Sequence, residues 1–384
     1  MALVGLITIR HPGSSIELAK LLSFTIIPVF VVGPIAGVYI DRWNRRTTLF
    51  ICDFLRGILV LLIAFYLMRL PEIWPIYMAV FLIFSFSRFY VPAKMSFIPE
   101  IVHQEDLLIA NSLVTTTGMI ALVLGALLGG LIVEYTGSFG GFLWDALTFF
   151  ISGLLVFSIS TLNRKLPDRS AIIAGTKEML KSQKTVWHEI IDGIVYIRSQ
   201  KKIGFIFWMM SILFAASGAI YVVIIVFIQQ AFHSVTKDLG FLAVPLGLGL
   251  FLGSLAYGKW GVKASSFKTI LWSLVLGGGM MILFASLVEG THSRLLAIGL
   301  SLVLGFVVGP TVIASNTVVN QICSQEMSGK VFAALEFVMH LAFLLAMLAS
   351  SLLADHIARV WILIAVGGGF LAVGTVGLIR YKHA

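Results

Sequence analysis

The sequence predicts an all-α polytopic membrane protein, on three observations. Only 12% of the 384 residues are charged and 59% are hydrophobic, against about 25% and about 45–50% in water-soluble domains. Mean hydropathy is +1.01. The apolar residues fall in long unbroken runs, such as Ile58–Met68 and Leu341–Leu353, rather than in the ~10-residue alternating segments of a membrane β-barrel. A soluble enzyme, a secreted disulfide scaffold and a disordered tail are excluded. Cys52 and Cys323 are too few for a disulfide framework.

A spanning helix needs about 20 mostly apolar residues. In chain order the spans are 18–40, 48–69, 74–92, 108–133, 140–162, 203–229, 239–259, 269–288, 295–316, 331–353 and 360–379, eleven in all. Residues 1–9 are apolar but reach only about 13 Å as a helix, so they form a stub. They are not expected to be a signal peptide: the basic region of one is not seen, and they run into Arg10-His11-Pro12 rather than a small-residue cleavage site.

The net charge of +9 and pI near 9.6 raise the question of nucleic acid. Placement of the charges answers it. If the loop after the first span is cytoplasmic, 19 Lys/Arg lie inside, 6 outside and 2 (Arg56 and Arg88) within spans. That is a positive-inside signal, and no nucleic-acid partner is needed. The expectation is a cell-membrane protein with its N-terminus outside and its C-terminus cytoplasmic, read as a monomer.

The one long polar stretch, 163–202, divides the chain into an N-terminal bundle (1–162), a cytoplasmic loop and a C-terminal bundle (203–384). Within the loop, Trp187, Ile190, Ile191, Ile194 and Val195 recur at helical spacing among basic residues, predicting an interfacial amphipathic helix. The first bundle is 20 residues shorter than the second, about one span.

After the first full span comes Gly37-Val-Tyr-Ile-Asp41-Arg42-Trp-Asn44-Arg45-Arg46. This resembles the G-x-x-x-D-R-x-G-R-[RK] loop of the major facilitator superfamily. Asn44 replaces a Gly; Asn tolerates the left-handed conformation, so the turn is expected to persist. Asp53-Phe-Leu-Arg56, Val91-Pro92-Ala93-Lys94, Ile98-Pro99-Glu100, Trp144-Asp145-Ala146 and Gly329-Lys330 resemble the drug/macrolide and enterobactin-exporter-like efflux branch. The resemblance implies a major facilitator fold: two pseudo-symmetric bundles around a central cavity, here with eleven full helices and a truncated first one. It also implies that the cavity is lined by the first, fourth, seventh and tenth helices, and that Asp41 faces the start of the eleventh, near Gly329-Lys330.

Gly118, Gly125, Gly129 and Gly130 form a small-residue stripe that resembles the family's antiporter glycine motif. Gly247, Gly249, Gly253 and Gly258 form a counterpart. Both are expected to be packing surfaces. Ionisable groups inside the bilayer are functional candidates. Gly37, Asp41, Arg42, Arg45 and Arg46 form a candidate cytoplasmic gate, and Asp53, Arg56 and Arg88 a candidate charge latch. Glu336 and His340, at i and i+4 in a deep apolar setting, are candidates for carrying a coupling proton. Trp208, Met209, Met210, Phe214 and Tyr221 suit an amphipathic cargo. Glu134 and Asp355, at outer helix ends, are expected to be solvated.

His188-Glu189-Ile-Ile-Asp192 lacks the second His of a zinc HExxH site, so no metal, cofactor or catalytic residue is expected. No GxxxxGK[ST] sequence is present. The expected function is therefore secondary efflux of an amphipathic small molecule, driven by protons through alternating access. The rivals are a transport-incompetent remnant of such a transporter and a membrane-embedded enzyme.

Overall fold

The structure, a computed structural model, describes residues 1–33, 36, 43–159, 191, 193–195, 201–261, 265–322 and 325–382. Among them there is helix and no strand. The helices are α1 (Ala2–Arg10), α2 (Ser15–Val31), α3 (Arg45–Phe65), α4 (Trp74–Ile101), α5 (Leu107–Ser158), α6 (Lys201–Phe232), α7 (Lys237–Trp260), α8 (Ser266–Thr291), α9 (Arg294–Ile322), α10 (Gln325–Ala354) and α11 (Arg359–Lys382). Nine of the described helices are long and apolar enough to cross a membrane. Helices satisfy their own backbone groups, which hydrocarbon demands.

The spans read as 108–133 and 140–162 correspond to the two segments of α5, which is broken at Gly137, whose φ is +71°. A Cβ on Gly141 would lie 2.6 Å from the Val133 side chain, eight residues back, so the chain doubles over at this point. Glycine supplies the positive φ without steric cost. Asn44 is extended (φ −67°, ψ 111°) rather than left-handed. Its Oδ1 accepts from Thr47 N at 3.0 Å, so it works as the N-cap of α3. The loop 163–202 and its amphipathic helix fall almost entirely outside the described residues.

Helix pairing follows a pseudo-twofold scheme. α3 packs on α4 and α5, and α2 on α4; correspondingly, α8 packs on α9 and α11, and α7 on α9. α1 on α5 matches α6 on α10. The two groups meet through α5 on α7 and α2 on α10. One large apolar core, at the Lys/Arg-poor end, draws on both groups, with Leu18, Ile63, Val222 and Met347 among its members. Toward the Lys/Arg-rich end each group has its own smaller cluster: Leu49, Ala93 and Phe97 in the first, Met209, Ile270, Leu271 and Ala314 in the second.

Candidate functional site

Glu134, near the end of the first segment of α5, reaches across to the start of α7. Its Oε2 accepts from three successive backbone N–H groups: Val235 (3.0 Å), Thr236 (2.9 Å) and Lys237 (3.2 Å). The first turn of a helix has unpaired N–H groups and the positive end of the dipole. Here a carboxylate from the other bundle meets both needs. Thr236 Oγ1 donates to Gly130 O at 2.8 Å. At this point the main chains touch: a Cβ on Gly130 would lie 2.7 Å from Thr236 O, and one on Gly240 2.7 Å from Ala126 O.

The same end carries further links between the bundles. Gln229 Nε2 donates to Thr8 Oγ1 at 2.9 Å. Asp355 Oδ1 accepts from Ser15 N at 3.3 Å. Arg359 donates to Gly13 O and to Ser15 Oγ. Among the described residues, the polar contacts joining the bundles lie at this end. Glu134 and Asp355 are therefore not merely solvated: both are partnered across the interface. Sequence reading misses them because their partners lie more than a hundred residues away, with no local signal.

At the Lys/Arg-rich end, Arg45 forms a salt bridge with Glu100, joining the start of α3 to the end of α4. The Arg46 guanidinium lies 4.8 Å from the centroid of the Phe157 ring, over the end of α5. Gly37, Asp41 and Arg42 lie outside the described residues. The gate candidates that are described thus bind within the first bundle.

Asp53 and Arg56 are brought together. They form a salt bridge one helical turn apart, with residue exposures of 1% and 7%. Ser152 Oγ donates to Asp53 Oδ2 at 2.7 Å. The Arg56 guanidinium also bonds Cys52 O and Ser87 Oγ and lies against the rings of Tyr90 (4.3 Å) and Phe149 (4.8 Å). Every one of these partners belongs to α3, α4 or α5. The pair is a pin inside one bundle and does not bridge the two. Arg88 is not part of it; its buried Nε has no hydrogen-bond partner among the described residues.

Glu336 and His340 share one face of α10, but the two side chains are not bonded to each other. The imidazole Nδ1 sits 2.8 Å from the Glu336 backbone oxygen, and the Phe214 ring of α6 lies 6.4 Å from the imidazole. Glu336 itself is exposed. Of the cargo candidates, Trp208 is 69% exposed and Tyr221 stands beside Phe343 with centroids 5.6 Å apart. Met209 and Met210 are corrections: each is 5% exposed and packed against Ile270 and Leu271 of α8, inside the second bundle's own core. Successive helical residues point about 100° apart, so these two methionines turn away from the exposed face that carries Trp208. Among the described residues no group of three His, Cys, Asp or Glu side chains is placed to hold a metal ion.

The glycine stripes divide in the same way. Gly249 and Gly253 meet α9, where a Cβ would lie 2.1 Å from Leu302 O and Phe306 O respectively. Gly118, Gly125 and Gly258 have nothing within 4 Å of such a Cβ. The packing expectation therefore holds for part of each stripe only.

Comparison with known proteins fits this architecture. The chain is 22% identical over 394 residues to the uncharacterized MFS-type transporter YfiS of Bacillus subtilis, covering 100% of this chain and 89% of that one. It is 24% identical over 361 residues to the multidrug efflux pump Tap of Mycolicibacterium fortuitum, covering 91% and 83%. In fold it resembles a bacterial homologue of the iron transporter ferroportin in an inward-facing state (TM-score 0.74, 14% identity, 97% and 92% covered). It also resembles the nucleoside transporter NupG (TM-score 0.68, 14% identity, 99% and 94% covered). The Major Facilitator Superfamily profile matches residues 2–347. The chain is therefore a membrane transport protein and belongs to the Major Facilitator Superfamily.

Proposed function

We propose that this transporter is a proton-driven exporter of an amphipathic small molecule, working by alternating access across the cell membrane. Orientation follows the charge bias: the Lys/Arg-rich end is cytoplasmic and the end holding Glu134 and Arg359 is outer. The observation that carries the reading is the join at that outer end. Glu134, Thr236, Gly130 and Gly240 close α5 onto α7, while Ser15, Asp355 and Arg359 hold the bundles together beside them. This is the inward-facing arrangement of a two-state element. In the opposite state the outer contacts part, and Asp41 and Arg42 close the cytoplasmic side. Arg45, Arg46, Asp53 and Arg56 keep the first bundle rigid through the exchange. Trp208, Phe214 and Tyr221 contact the cargo, and Glu336 with His340 carries the proton. Efflux of an amphipathic cargo is further supported by the likeness to a multidrug pump.

Dye efflux from energised vesicles tests this. Export should stop on adding an uncoupler; uncoupler-insensitive export overturns the proton drive. Asp41→Asn should abolish transport with membrane insertion intact. Glu336→Gln should lose uphill transport while downhill exchange continues.

A further inference from the structure

α7 and α9 are pressed together along Gly249, Gly253, Gly305 and Gly309, where any Cβ would fall within 2.1–2.5 Å of a facing carbonyl oxygen. Toward their first turns the glycines give way to Phe241, Leu242 and Ile298. Larger side chains hold the helices apart, and the seam opens into a notch. A cavity of about 230 Å³ fills it, lined by Phe232, Lys237, Asp238, Phe241, Leu242, Arg294 and Ile298. A water molecule's share of liquid is about 30 Å³, so the notch has room for a phosphodiester and part of its glycerol.

The polar mouth is built and held in place. Asp238 is 4% exposed, and its carboxylate grips Arg294 at 2.9 and 3.3 Å. Arg294 is also bonded to Phe232 O at 3.2 Å and lies 5.8 Å from the Phe232 ring centroid, yet its side chain is 60% exposed. The Lys237 ammonium rests about 6 Å over the rings of Tyr135 and Phe241. Two cations and the Asp238 carboxylate line the mouth, while the Glu134 carboxylate beside them is committed to the backbone N–H groups of Val235, Thr236 and Lys237. Lys237 and Arg294 are the first residues of their helices, so they lie at headgroup depth. Beside them on α7 and α9, Phe241, Leu248, Leu295 and Leu302 are exposed.

We propose that this notch binds an anionic phospholipid of the leaflet at the Lys/Arg-poor end. Its phosphodiester sits between Lys237 and the free edge of Arg294, and an acyl chain follows the exposed side of the α7/α9 seam. Basic pockets between transmembrane helices recognise lipid headgroups in this way. A lipid is the occupant, rather than free phosphate, because the mouth opens beside exposed apolar side chains at the ends of two helices long and apolar enough to cross a membrane.

The test uses the full chain in detergent, with native mass spectrometry and thermal melting. Phosphatidylglycerol should be retained and should raise Tm by several degrees, and phosphatidylcholine should do neither. Lys237→Gln should weaken phosphatidylglycerol retention at least fivefold. The paired change Asp238→Asn with Arg294→Gln removes the ion pair without stranding either charge, and should weaken it further. Equal retention of the two lipids, unchanged retention in both variants, or an equal Tm rise with inorganic phosphate overturns the proposal. None of these readouts depends on efflux.

Discussion

The two bundles share a pairing scheme but differ in how it is filled. In the second, the 32-residue α6 runs along α10, and at Gly218 a Cβ would lie 2.2 Å from Phe343 O. In the first, the nine-residue α1 meets α5 around Gly129–Gly141. Below that contact α5 is open, with Leu108 at 79% and Leu122 at 76% exposure. In water such an apolar helix would be costly. In lipid it is not, because acyl chains are as apolar as leucine. What is costly in lipid is an unpaired polar group.

The interiors differ as well. The ninth and twelfth residues of α3 are Asp53 and Arg56; the same positions in α8 are Leu274 and Gly277. One bundle is held by a caged ion pair, the other by close backbone approach.

The sharpest way to break this comparison is to cut the ion pair. Asp53→Asn strands Arg56 in the bilayer and should cost about 3–5 kcal/mol, seen as a large fall in Tm of the detergent-purified protein. Neutralising both, as Asp53→Asn with Arg56→Gln, should recover much of the loss. An unchanged Tm in the single variant would show that the pair is not what holds the first bundle. Gly249→Val asks the reverse question of the second bundle. Over-packing against Leu302 O should cost about 1–3 kcal/mol, whereas Gly125→Val, in open space, should stay within about 0.5 kcal/mol. Equal effects at both sites would erase the contrast. Next in size is Glu134→Gln, which keeps an acceptor but removes the charge. On the proposed cycle it should shift the population toward the outward-open state by roughly tenfold, equivalent to about 1.4 kcal/mol. Accessibility of a cysteine in place of Ser15, fully buried in the closed join, to an impermeant thiol reagent reports this. Smallest is the exchange Arg45→Glu with Glu100→Arg. Each single change should cost about 0.2–1 kcal/mol, and the double should return most of it, which a double-mutant cycle measures.

How far the sequence carries depends on the range of each interaction. Hydropathy runs find the helices because a span is a local property. The i,i+3 spacing brings Asp53 and Arg56 together, again locally. The same reasoning groups Arg88 with them, yet its buried Nε has no bond to that pair, since nearness in depth is not nearness in azimuth. Glycine spacing reveals a smooth face on α7 but not its partner, and Gly118 and Gly258 meet nothing. Tolerance of the left-handed region is a true property of Asn44, but the neighbouring Thr47 N–H offers a capping bond, which sets its conformation. The family resemblance places Met209 and Met210 on a cavity-lining helix; only their packing against α8 reveals which way they face. Glu134 is the largest omission, because its three partners lie at the start of a helix a hundred residues on.

The touching main chains at Gly130 and Gly240 carry one more consequence. A seam made of peptide groups and one threonine hydroxyl has no proton to gain and no charge for salt to screen. Its tightness is set by shape and a neutral hydrogen bond, neither of which titrates. Whatever loosens this join must then act through its rim, where the Glu134 carboxylate holds the start of α7.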